Sequence, residues 1–301
     1  MKEAKPDLYP GFDSLTVDTG DVQLFCRTGG TGPALLLLHG YPQSNEIWHK
    51  IAPRLANHFT LIIPDLPGYG RSSVPPLSSD HLAYSKRAMA RNMVELMRQL
   101  GHNRFYVAGH DRGGRVGYRM AFDHPETVKR LAVLDILPTS DYWDRLDRTF
   151  GLKIYHWLFL AQPAPYPEML ISASPIDFLE HTLSSWTGNK NLNCFSEGAL
   201  AHNRDWFCDR DRIAATCEDY RAGATVDYEH DKADRDAGNR IKAPVLALWG
   251  DKGIASSVDD PLAIWRNWCS DVSGKSLECG HFLPEEAPDD TCNALLDFFA
   301  S

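Results

Sequence analysis

The sequence predicts an α/β architecture, with a mostly parallel central sheet, helices on both faces and an inserted helical cap. Three observations carry this. Short apolar runs recur at 34–38, 60–64, 104–108, 130–136 and 244–249, each followed by Gly, Pro or Asp, the pattern of strands buried on both faces. Helix-like stretches separate the runs, and that alternation is the mark of α/β chains. From about 140 to 227 the strand pattern stops, then resumes at Ala243-Pro244-Val245-Leu246-Ala247-Leu248-Trp249, so the later segment completes the first sheet. The expected division is a core of residues 1–139 and 228–301 and a cap of residues 140–227.

Taken in order, Ala34-Leu35-Leu36-Leu37-Leu38 is a strand-sized run leading into the turn His39-Gly40-Tyr41-Pro42. Over 85–100, Met89, Met93, Leu96, Met97 and Leu100 form an apolar stripe at helical spacing, which core packing explains fully. Arg104-Phe105-Tyr106-Val107-Ala108 reads as the next strand, and Arg115-Val116-Gly117-Tyr118-Arg119-Met120-Ala121 as the helix after it. Leu131-Ala132-Val133-Leu134 is a further strand, ending at Asp135. The cap stretch carries Trp143, Trp157, Trp186 and Trp206 among prolines and polar helix formers.

Composition narrows the function. Thirty-one Lys and Arg against 40 Asp and Glu give a formal charge of -9, which repels polyphosphates and argues against a nucleic-acid partner. An anionic substrate would need a local cationic site to overcome that field. Met1-Lys-Glu-Ala-Lys-Pro carries an acid and a proline where a secretory leader needs an apolar stretch, and no run approaches a membrane span. The seven cysteines are odd in number and contain no Cys-x-x-Cys pair, so free thiols in a reducing cytoplasm are expected.

Between the strand and helix around residue 110 lies Gly109-His110-Asp111-Arg112-Gly113-Gly114. Small residues flank one reactive side chain, as in a nucleophile elbow, where glycines permit a sharp strand-to-helix turn. Here the central residue is Asp111 rather than serine. A carboxylate is a poor acyl-transfer nucleophile, but it can displace a leaving group from an alkyl carbon and form an ester for a second step to hydrolyse. Asp is also a favoured helix N-cap, which alone would explain it.

Its candidate partners follow in chain order. His281, in Gly280-His281-Phe282-Leu283-Pro284 before the final helix, is the candidate general base. Two acids compete to orient it. Asp251 follows the strand that ends Leu248-Trp249-Gly250, whereas Asp135 ends an apolar strand where a buried carboxylate needs a partner, and Asp135 is preferred. Many hydrolases of this kind put the acid where this chain has Gly253. Backbone N–H groups of Tyr41 and Arg112 are candidates for an oxyanion hole, and the His39 side chain is given no chemical role. Arg112 and Arg115 lie in the first turn of the elbow helix, where cations oppose the macrodipole unless an anion sits there, so they are read as a carboxylate receptor.

These stretches, with Asp65-Leu66-Pro67-Gly68-Tyr69-Gly70, Lys153-Ile154-Tyr155-His156-Trp157 and Cys217-Glu218-Asp219-Tyr220-Arg221, closely resemble the fluoroacetate (haloacetate) dehalogenases of the α/β-hydrolase superfamily, nearly end to end. The resemblance implies that Asp111 attacks the halogen-bearing carbon, that Arg112 and Arg115 hold the substrate carboxylate, and that His156, Trp157 and Tyr220 surround the leaving halide. It implies Asp135 as the acid, a homodimer, a small haloacid as partner, and hydrolysis without metal or organic cofactor. Tyr41 departs from the Phe common in relatives, and Trp186 is a further lining candidate without a catalytic role. An epoxide hydrolase shares the Asp elbow and uses lid tyrosines, but a neutral epoxide, like an uncharged haloalkane, offers two arginines no charge. A non-catalytic ligand receptor would be expected to have lost a triad member, and Asp111, Asp135 and His281 are all present.

Overall fold

The computed structural model describes residues 5–258 and 260–300; Met1–Ala4, which open the stretch read above for a leader, lie outside them. The described strands open with the polar edge strand β1 (Asp13–Asp18) and its mostly buried neighbour β2 (Gln23–Gly29), followed by β3 (Ala34–Leu38) and β4 (Thr60–Pro64). Helix α1 (Lys86–Gln99) leads to β5 (Phe105–His110), α2 (Arg112–Asp123) and β6 (Val128–Leu134). After the long insertion come β7 (Val245–Gly250) and β8 (Val272–Leu277).

The strands form one sheet in the order β1-β2-β4-β3-β5-β6-β7-β8. The pairs β1/β2 and β2/β4 are antiparallel and the remainder parallel. Alternating side chains explain why the central strands read as unbroken apolar runs. Leu36 and Leu38 of β3 join one core with Met89, Met93, Val116 and Met120, while Leu35 and Leu37 join the other with Trp48, Leu55, Leu295 and Phe299. Each fully buried leucine contributes about 1.5–3 kcal/mol, so both faces must be covered. The edge strands went unread because they lack such runs: β1 is mostly exposed and β8 carries Ser273, Gly274, Lys275 and Ser276.

Between β6 and β7 the insertion is wholly helical among the described residues. It runs α3 (Thr139–Asp144), α4 (Arg148–Lys153), α5 (Tyr155–Leu160), α6 (Tyr166–Ala173), α7 (Pro175–Trp186), α8 (Glu197–Phe207), α9 (Arg210–Ala224) and α10 (Val226–Asp236). Residue 227, the boundary read from sequence, falls inside α10, which continues to Asp236 and returns to the core by ion-pairing Asp231 and Asp234 with Arg119 of α2. Helices α11 (Pro261–Trp268) and α12 (Pro288–Ala300) complete the core layers.

Parallel strands β3, β5, β6 and β7 all end on one side of the sheet. Their register sets Leu38 beside Gly109, His110 beside Leu134 and Leu134 beside Leu248, so the residues just beyond these ends converge. Crevices at carboxyl ends of strands are where such sheets place ligands.

Candidate active site

Asp111 stands between β5 and α2 with φ of +47°, a conformation that costs a non-glycine residue about 1–3 kcal/mol. The turn closes because its neighbours have no side chains. A Cβ on Gly113 would lie 2.3 Å from the His39 carbonyl oxygen, and one on Gly109 would lie 2.4 Å from that of Gly113. The bend aims the carboxylate at the β3 turn, where the Tyr41 N–H donates to Asp111 Oδ1 at 2.9 Å. That leaves Oδ2 facing His281, whose Nε2 lies 3.9 Å away and has no hydrogen-bond partner.

On its other edge, His281 Nδ1 is 2.6 Å from Asp135 Oδ2. Asp135 follows β6 with φ of +51° and accepts the Ile254 N–H at 3.0 Å and the Gly250 N–H at 3.3 Å. Asp251 points elsewhere, accepting the Cys279 N–H at 3.1 Å. Gly253 shows why the alternative acid position is empty: a Cβ there would lie 2.4 Å from Asp135 Oδ1, so the carboxylate occupies the space that a side chain at 253 would need.

Burial pushes the Asp111 carboxyl up, but His281, His110 and the two guanidiniums outweigh it and hold the group below its usual range. Burial pushes His281 down, yet its bond and charge contact with Asp135, together with Asp111 and Glu286, raise it above an ordinary histidine. His156 is buried and drops to about 3, and His39 to about 4, so both are neutral at pH 7. His39 Nε2 accepts the Leu66 N–H at 2.9 Å, which ties the β3 turn to the Asp65-Leu66 loop.

The two arginines differ. Arg112 is fully buried and already holds a carboxylate of its own chain, donating to Asp219 Oδ1 at 2.7 Å and Oδ2 at 3.0 Å. Asp219 also binds Lys86 Nζ and accepts the Tyr69 hydroxyl at 2.7 Å. The anion expected at the head of α2 is therefore in part this residue of α9. Arg115 has no such mate among the described residues. Its Nη1 donates to the Leu137 carbonyl and Thr139 Oγ1, both at 3.0 Å, and its guanidinium lies 4.5 Å from the Trp157 ring centroid and 4.8 Å from that of Tyr142.

Residues of the helical insertion close the space above. Arg112 lies 4.2 Å from the Tyr220 ring centroid, Tyr220 is edge-on to Tyr41 at 5.2 Å and to His156 at 5.7 Å, and Trp157 is 6.0 Å from Tyr220. Arg112 Nη1, Arg115 Nε, Tyr41 OH, Tyr220 OH, His156 Nδ1 and His281 Nε2 are all buried without a partner. Native interiors leave few polar atoms in that state, and a group of them marks space built for a polar guest.

Three contributors escaped the sequence reading. Asp219 carries no signal of its own in the 217–221 stretch, yet it is the carboxylate that Arg112 holds. His110 sets Nε2 2.8 Å from the His281 carbonyl oxygen. Glu286 accepts the Gly280 and Phe282 N–H groups at 3.0 Å, on either side of His281, and the Gly188 N–H at 2.7 Å. Only the run of acids after His281 hinted at the last.

A sequence profile of the α/β hydrolase fold matches residues 33–288. The chain belongs to the α/β-hydrolase family. Among curated relatives, a fluoroacetate dehalogenase from Burkholderia sp is 44% identical over 293 residues, 97% of this chain and 95% of that one. A soluble epoxide hydrolase from Corynebacterium sp. is 34% identical over 275 residues, 91% and 92% of the two chains. A solved α/β hydrolase from Nostoc sp PCC 7120 superposes with a TM-score of 0.93 at 50% identity, covering 96% of this chain and 98% of its own. The resemblance and fold class read from the sequence both stand.

Proposed function

We propose that this α/β hydrolase hydrolyses haloacetates to glycolate and halide. The observation that carries the reading is the sealed group of unpartnered donors around an ionised Asp111. Its guanidiniums suit a small carboxylate. The phenol of Tyr220, the imidazole of His156 and the indole of Trp157 suit a departing halide, since each offers an N–H or O–H donor. A donor aimed at developing charge is worth about 3 kcal/mol, and fluoride, a poor leaving group, gains most from it.

In the first step Asp111 Oδ2 attacks the α-carbon, the carbon–halogen bond breaks, and halide leaves with the bonding pair. In the second, His281 Nε2 takes a proton from water, whose oxygen attacks the Asp111 carbonyl carbon. Tyr41 N–H steadies the charge on Oδ1, with the Arg112 N–H as the second proposed donor. The ester bond then breaks, glycolate takes the proton from His281, and Asp111, which keeps the oxygen from water, gives up that water's remaining proton to solvent and is a carboxylate again. Asp135 holds the imidazole in the tautomer with Nε2 free and balances its transient charge.

Halide release from fluoroacetate and chloroacetate, run beside diol formation from a neutral epoxide, tests the substrate class. Diol without halide would favour the epoxide hydrolase reading, and tight haloacid binding without turnover the receptor reading. Asp111→Asn abolishes steady turnover, and a single turnover in heavy-oxygen water labels Asp111. Label found only in glycolate rejects the ester. His281→Asn accumulates an ester on Asp111 visible by mass spectrometry, and an unmodified protein would remove His281 from its role.

The cap division read from sequence, with the site between cap and core, is part of this proposal. So is a homodimer, supported by apolar side chains exposed on α5 and α6: Leu158, Tyr166, Met169 and Leu170. A cytoplasmic setting is supported by seven unpaired cysteines. No helix among the described residues is long and apolar enough to cross a membrane.

A further inference from the structure

The site is closed: Asp111 is 6% exposed and His281 1%. A substrate therefore needs a way in. Against the outer wall lies a groove of about 490 Å³ between the insertion and the β7 loop. Three of its lining residues touch the site directly. Trp186, the last residue of α7, packs 4.4 Å from His156 and 5.3 Å from His281 on ring centroids. Tyr155 lies 6.0 Å from the His156 ring, and Ile254 donates its N–H to Asp135. At Trp186, the thickness of one indole separates the groove from the reacting groups.

The groove is cationic. Among the described residues that line it, Lys153, Lys190 and Lys252 stand against a single carboxylate, Asp251. Lys153 Nζ donates to Ser257 Oγ at 3.1 Å and Lys190 Nζ to the Ser185 carbonyl at 2.7 Å. Among the described residues none of the three ammonium groups meets an acid. On a chain of formal charge -9, three lysines unpaired with acids at one mouth are a local reversal of sign. Clefts lined by one sign of charge raise the local concentration and encounter rate of the opposite ion by about 10–10³-fold.

We infer that this groove is the port through which the substrate anion reaches Asp111, that Lys153, Lys190 and Lys252 are its collecting charges, and that the Trp186 indole is its inner door. Chain geometry suits the door: α7 ends at Trp186 and Thr187 leaves in an extended conformation, so the indole sits at a helix end rather than within it. The inference rests on the haloacetate reading and specifies how that site is reached.

The test is a charge-matched pair of triple variants. One carries Lys153→Gln, Lys190→Gln and Lys252→Gln; the other carries Lys232→Gln, Lys242→Gln and Lys275→Gln, three exposed lysines outside the groove. Both change the net charge equally. The groove variant loses about tenfold in kcat/KM at low ionic strength with kcat unchanged. Its kcat/KM no longer falls as salt is added, whereas the wild type and the control variant keep that decline. Groove and control variants with the same kcat/KM and the same salt slope would overturn the port. A wild type that forms no ester on Asp111 from either haloacetate would remove the parent reading and the port together, so the two failures are distinguishable.

Discussion

The Asp111 carboxylate lies 3.9 Å from His281 Nε2 and is one of the influences that raise the histidine above its ordinary value, and that pairing sets a pH signature. The base acts only when neutral, so ester hydrolysis speeds up as pH rises through the His281 value and levels off above it. Ester formation removes the Asp111 charge, one of the influences that raise His281, so the base titrates lower in the intermediate than in the free enzyme. The acid limb of ester hydrolysis in quenched flow should lie below the His281 midpoint found by NMR in the free protein; coincident midpoints would show that the Asp111 charge is not felt. The unequal arginines give a second prediction. Among the described residues Arg115 has no carboxylate mate, so Arg115→Met raises KM for a haloacetate by roughly 10–100-fold, the loss of one charge-assisted bond. Asp219→Leu instead strands Arg112 and destabilises the fold by about 3–5 kcal/mol in urea unfolding, and Arg112→Leu added to it restores much of the loss. Separate costs that simply add would refute the coupling.

At the scale of elements, the loop after β8 is held to the insertion by Glu286, which spans Gly280, Phe282 and Gly188, and by His281 N–H donating to the Trp186 carbonyl at 3.0 Å. Glu286→Gln replaces one acceptor oxygen by a donor and should slow ester hydrolysis while leaving ester formation within about twofold. A variant slowed equally in both steps would mean that the loop has only a structural role. The sequence made some of this plain and hid the rest for physical reasons. Runs 34–38 and 60–64 coincide with β3 and β4 because both faces of those strands are buried. The run at 104–108 continues as strand to His110, since Gly109 and His110 still pair with Val133 and Leu134. Asp111, Asp135 and His281 were legible because each follows a recognisable strand or precedes a recognisable helix. Asp219 was not, for its partner Arg112 lies 107 residues away and no local pattern links them. Trp186 reads from the sequence as a lining candidate, and only packing gives it its neighbours, His156 and His281.

For the molecule as a whole, the insertion and the sheet share one buried polar seam. Asp219 and Asp227 from the insertion meet Lys86 of α1, Asp219 meets Arg112, and Asp231 meets Arg119. Replacing charges in such a seam one at a time is costly because the remaining partner stays buried. The apolar residues exposed on α5 and α6 away from the groove, Leu158, Tyr166, Met169 and Leu170, belong to the same unit, and large uncovered apolar patches mark association surfaces. Sedimentation of the wild type should report a dimer, and Met169→Lys with Leu170→Lys a folded monomer; a wild type sedimenting as a monomer would retire the dimer.

Because the Asp135 carboxylate fills the volume that any side chain at 253 would claim, the two places from which an acid could serve His281 exclude one another. Even Gly253→Ala crowds the carboxylate and should stall deacylation, and an acid at 253 beside Asp135 would leave neither well placed. In this chain an acid at 253 therefore has room to serve His281 only if residue 135 first gives up its carboxylate, so moving the acid takes two coordinated substitutions rather than one.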